Sequence, residues 1–143
     1  ATTGEVRGAL LRSSNEVSAL EQRETALLND LPEAEDQVKR ARVAVKNTQN
    51  SLAIAKDRLA LARRAAEDSE ISSSDTVRPS LLRAEGAAEE QERRVAEEVQ
   101  RAEGSLREAE REAARAPAMA RILARRRKEL GEIKARDQVR RQL

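Results

Sequence analysis

The side chains able to do chemistry in this chain are Ser, Thr, Lys, Arg, Asp and Glu, because His, Cys and Tyr are all absent. Acid–base work would have to rest on carboxylates, and paired carboxylates divide that work only where a pocket drives their pKa values apart. The adjacent pairs are Glu67–Asp68, Glu89–Glu90 and Glu97–Glu98, with a further acidic run from Glu108 to Glu112. Five scattered glycines make no phosphate-cradling loop, dinucleotide fingerprint or nucleophile elbow. The chain is therefore expected not to be an enzyme. Glu85 and Glu89, or Glu108 and Glu112, could meet across one helical turn, but transition-metal sites usually add imidazole or thiolate. No metal and no cofactor is expected.

The sharpest local feature is cationic. Arg121, Arg125, Arg126, Arg127 and Lys128 form a candidate partner contact, suited to phosphate or an anionic lipid surface. No aromatic residue accompanies them, which argues against base stacking and sequence-specific nucleic-acid recognition. The competing reading is structural. In a folded-back chain this run lies beside Glu16, Glu21, Glu24 and Asp30, which would meet its charge.

What must position these groups is a long helical seam. Hydrophobic and charged residues each make up 38% of the 143, none of them aromatic, so a thick core is out of reach and stability must come from a thin, extended contact. Alternating steps of four and three from Val6 to Ala66 meet eighteen positions, of which only Ser13, Glu24 and Thr48 are polar. A repeat of 3.5 residues is the mark of a coiled coil. From Val95 the same steps meet Val99, Ala102, Leu106, Ala109, Ala113, Ala116, Ala120 and Leu123. Between Leu81 and Val95 the seam is poor, and beyond Leu123 the frame is expected to slip towards Leu130, Ile133 and Val139.

Ser, Asp and Thr crowd positions 71–79, and Pro79 suits the first turn of a new helix, so this stretch is expected to be the loop. The expected architecture is an all-α, long antiparallel two-helix coiled-coil hairpin over residues 1–143, able to pair into a larger helical bundle. Helix 1 would span about 5–70 and helix 2 about 80–142. Charge agrees with folding back. Residues 1–36 hold three basic and eight acidic side chains, and residues 37–70 hold eight and four. Residues 80–114 hold six basic and ten acidic, and residues 115–143 hold ten and three. A hairpin sets opposite signs against each other, whereas a parallel dimer would stack like on like. The same fold sets Leu20 beside Leu130.

Pro32 and Pro117 lie equidistant from that loop and form a candidate hinge. Each removes a helical N–H, so a kink or tight break is expected at both, with Asn29 or Asp30 capping a restarted helix.

These features favour a structural or assembly protein, a spacer or adaptor bound to other protein subunits or to further copies of itself. Arms of about 70 residues at 1.5 Å each would reach on the order of 100 Å. In size, hairpin form and high charge the chain resembles the stalk proteins of flagellar and type III secretion export ATPases, a resemblance of architecture rather than of motif. It implies a two-helix coiled coil, termini together, entering the centre of an ATPase ring. A third class is non-specific binding of nucleic acid or a membrane surface through residues 121–128. No stretch reaches 18 apolar residues, so no transmembrane helix is expected. An intracellular, cytoplasmic protein is the default expectation, and a cleaved leader would leave no trace in this sequence.

Overall fold

The computed structural model describes residues 2–68 and 75–142. They form two helices, α1 (Thr3–Glu67) and α2 (Arg78–Gln142), which pack against each other as an all-α hairpin, with no strand among the described residues. A reciprocal cap opens α1. The Glu5 N–H donates to Thr2 Oγ1 and the Thr2 N–H donates to Glu5 Oε2, each at 3.1 Å, which satisfies two otherwise unpaired donors at the helix start. Of the expected loop, residues 71–74 lie outside the described residues, as do 69 and 70 at the expected end of helix 1. Residues 75–77 form a turn, and Arg78 and Pro79 are already helical. The Leu81 N–H donates to the Val77 carbonyl at 3.1 Å, so Val77 stands at the cap rather than a Ser, Asp or Thr. Pro79 sits in the first turn, where its missing N–H has no helical partner to lose.

The seam of α1 follows the heptad frame throughout. All eighteen positions from Val6 to Ala66 are buried or half-buried, the polar Ser13, Glu24 and Thr48 included. In α2 two expectations need correcting. The seam does not fade before Val95, and beyond Leu123 it passes through Leu130 and Ile133 as expected but does not reach Val139. One column runs at sevens from Leu81 through Ala88, Val95, Ala102, Ala109, Ala116, Leu123 and Leu130 to Asp137, with every member at least half-buried. It looked poor because its companion column carries Glu85 and Glu92, and its own last member is an acid. Val139 is 58% exposed instead. A helix cannot turn residue 139 inward without turning Leu130 and Ile133 out. The second correction falls beside Pro117. Ahead of it the companion column is Val99, Leu106 and Ala113; beyond it, Met119 and Ile133 are half-buried and Ala120 is exposed. Met buries more apolar area than Ala, which favours that exchange.

Both prolines lie inside uninterrupted helix, so the tight break and restart expected after Asn29 are absent. Both are exposed.

By contact the chain divides into two compact units, one of residues 1–36 with 110–143 and one of residues 37–109. The first is centred on Val17, Leu123 and Leu130, with Leu10 and Leu20 packed against them, so Leu20 and Leu130 share a cluster as the fold-back requires. Leu123 is fully buried; withdrawing a leucine side chain from water contributes about 2–3 kcal/mol. The core of the second unit is Val38, Ala55, Leu59, Val95 and Val99. Alanines in both seams contribute little area each but let the backbones approach.

Candidate interaction surfaces

The cationic run on α2 divides by direction. Arg126 and Arg127 reach across to α1, with Arg126 Nη1 3.9 Å from Glu16 Oε2 and Arg127 Nη2 3.4 Å from Glu21 Oε1. Arg126 also meets Glu129 at 3.1 Å on its own helix. The structural reading therefore holds for these two residues, with Glu16 and Glu21 as the partners. Exposed ion pairs of this kind contribute about 0.2–1 kcal/mol each. Arg121, Arg125 and Lys128 stand four and three residues apart, on one face of the helix. All three are exposed and have no ion-pair partner among the described residues.

Beside that face a groove of about 500 Å³ opens between the helices of the first unit. Ala26 and Leu27 from α1 and Ala118, Met119 and Ile122 from α2 give it an apolar wall, and Arg23 and Arg115 contribute to its lining. Arg115 is paired with Glu112 at 3.1 Å. A second open groove, of about 520 Å³, is lined by Val6 with Ala135, Arg136, Val139 and Arg140. Near it Asp137 is buried in the seam and meets Arg141 at 3.1 Å one turn on. Sequence reasoning missed the first groove because neither Met119 nor Ile122 falls on the heptad steps counted from Val95. Their three-residue spacing, off the strict heptad column, was the available signal.

The carboxylates considered for chemistry are engaged in ion pairs or solvated. Glu89 meets Arg63 at 3.5 Å, and Glu85 meets the same arginine at 3.9 Å. Glu90 accepts from Arg93 Nη2 at 2.6 Å and from Arg94 Nε at 3.2 Å. The Arg93 hydrogen bond holds the Glu90 carboxyl below its ordinary range, and Glu90 in turn raises Arg93. The Glu90 contacts run along α2 and face solvent, whereas Arg63 reaches Glu85 and Glu89 from α1. Among the described residues no group of three or more acidic side chains is placed to hold a metal ion. No helix among them is long and apolar enough to cross a membrane. No family model matches the chain, and neither a curated protein nor a solved structure matches it.

Proposed function

We propose that this chain, as a single coiled-coil hairpin, is a non-enzymatic structural or assembly protein, a spacer or adaptor within a larger complex. One observation carries the reading. The helices bury their heptad columns against each other, yet an apolar groove beside Arg23 and Arg115 stays open next to the unpaired Arg121, Arg125 and Lys128. Such a surface suits a protein partner presenting an apolar side chain flanked by acidic residues. Pro32 and Pro117 keep their proposed role as a hinge in each helix.

The test compares the full chain with two variants, Ile122→Glu and the triple Arg121→Glu/Arg125→Glu/Lys128→Glu, in crosslinked purification from the native source. A stoichiometric protein partner captured by the parent and lost from both variants, with helical melting unchanged, supports the adaptor reading. Capture indifferent to both variants overturns it at this surface.

The central-stalk reading has one observation in its favour. Val6, near one end of the chain, shares a groove with Ala135, Arg136, Val139 and Arg140, near the other. Co-purification of a ring ATPase would promote it. Nucleic acid or lipid that leaves at raised salt would promote instead the surface-binding role of residues 121–128.

A further inference from the structure

The outer side of α1 in the second unit carries a row that is its own complement when reversed. Arg40, Val43, Asn47, Asn50, Ile54 and Asp57 follow one another at spacings of three, four, three, four and three. That order reads the same from either end. All six are exposed, Val43 at 58% and Ile54 at 52%, large apolar side chains for positions facing water. The stretch from Val43 to Ala55 holds one charged residue, Lys46, in a chain that is 38% charged. Arg40 and Asp57 close the row with opposite charges, and neither has an ion-pair partner among the described residues.

We propose that two copies of this chain pair through this face, α1 against α1 and antiparallel, about a two-fold axis level with Thr48 and Gln49. In such an isologous contact each pair occurs twice. Val43 meets Ile54 of the second copy, Asn47 meets Asn50, and Arg40 meets Asp57. The flanks agree. In an antiparallel pair, flanking positions of one kind face their own kind, which brings Lys46 to Ala53, Lys39 to Ala60, Ala44 to Ser51 and Arg58 to Gln37. No like charges meet. Arg42 and Lys56 follow Ala41 and Ala55 and stand further round the helix towards the seam than Lys39 and Lys46, which follow Val38 and Val45, so they lie outside this contact.

The paired asparagines satisfy each other by amide hydrogen bonds and penalise any register that sets an amide against an aliphatic side chain. A parallel, in-register pair would instead oppose Arg40 to Arg40 and Asp57 to Asp57. An unrelated partner would have to supply a matching cation and anion at the same spacing, whereas a second copy carries both. One face of one helix makes a contact at the small end of specific interfaces, below about 1,200 Å², so the pairing depends on concentration. It stands independently of the adaptor reading, because none of these residues lines the grooves on the first unit.

The experiment uses the full chain, which has no cysteine of its own. Sedimentation equilibrium over a range of concentrations should show monomer and dimer, and Ile54→Glu should leave only monomer with its helical spectrum intact. Arg40→Glu and Asp57→Arg should each weaken association about fivefold, since the pair occurs twice, and the two together should restore it. Chains carrying Val43→Cys, mixed with chains carrying Ile54→Cys, should form the 43–54 disulfide on oxidation. Neither variant alone should crosslink, because like positions stand eleven residues apart along the antiparallel pair, roughly 16 Å, beyond disulfide reach. A monomer at every concentration overturns the proposal. So does self-crosslinking of Val43→Cys, or a dimer indifferent to the charge exchange.

Discussion

Pro32 lies deep inside α1 and exposed, and the carbonyl of Leu28 faces a ring with no N–H to offer. An alanine there would restore the backbone hydrogen bond and remove the clash of the pyrrolidine ring with the preceding turn. In a helix interior Pro is about 3 kcal/mol less favourable than Ala. Exposure means that no packed contact is lost with the ring. Against the gain stands the narrower unfolded ensemble that proline confers, worth about 0.4–1 kcal/mol. The net expectation is about 2 kcal/mol of added stability for Pro32→Ala. At roughly 2–4 °C per kcal/mol for a chain of this size, Tm should rise by about 4–8 °C in thermal melts followed by circular dichroism at fixed protein concentration. Pro117→Ala, in the same setting on α2, should act in the same direction, through the carbonyl of Ala113. If the prolines form a joint that the complex uses, the stabilised variants should lose partner capture while melting higher. An unchanged or lowered Tm would refute the argument, since it would mean that the surrounding turns have already accommodated the ring at no cost.

Leu123→Ala removes the fully buried side chain of the first unit's cluster and should cost about 2–3 kcal/mol, read as the largest Tm loss among single seam substitutions. Gly86→Ala and Gly131→Ala should each stabilise by up to about 1 kcal/mol, because a methyl group at either position meets nothing within 4 Å; chemical denaturation checks this. Arg126→Glu/Arg127→Glu should lower Tm at low salt, with the deficit shrinking as salt screens their repulsion from Glu16 and Glu21. Because the Glu90 carboxyl is lowered from 4.5, its contribution to stability is present above that value and lost as pH falls through the folded-state pKa. Carboxyl titration by NMR should find its midpoint below 4.5, and Arg93→Gln should move it upward.

The seam of α1 was legible because eighteen heptad positions hold only three polar residues, and burial follows that frame at every one of them. In α2 the same frame was hidden by its own chemistry. Glu85 and Glu92 occupy half-buried seam positions, and Glu85 meets Arg63 of α1. Hydrophobicity alone marks such positions as gaps, although the aliphatic stem of a glutamate can cover apolar surface. Asp137 misled more strongly, since Val139 two residues on is the more apolar choice and only the helical repeat decides between them. The cap at Thr2 and Glu5 was also readable, as a threonine with a glutamate three residues later. Of the cationic run, the acidic partners Glu16 and Glu21 were foreseen. Which arginines would take them depended on side-chain direction around the helix, and composition carries no such information.

The neighbourhood of Val6 with Ala135, Arg136, Val139 and Arg140 also decides how the first unit would carry a mechanical load. Tension applied to those two adjoining segments peels the helices apart layer by layer, first at Asp137, then at Leu130, then at Leu123. Only one layer resists at a time, and the outermost is the polar one. Tension directed along the helix axis must instead slide every layer past its partner at once. The same seam is thus weak against separation at that end and strong against shear, so the direction in which a neighbour pulls would determine whether this unit yields like a zip or holds like a strut.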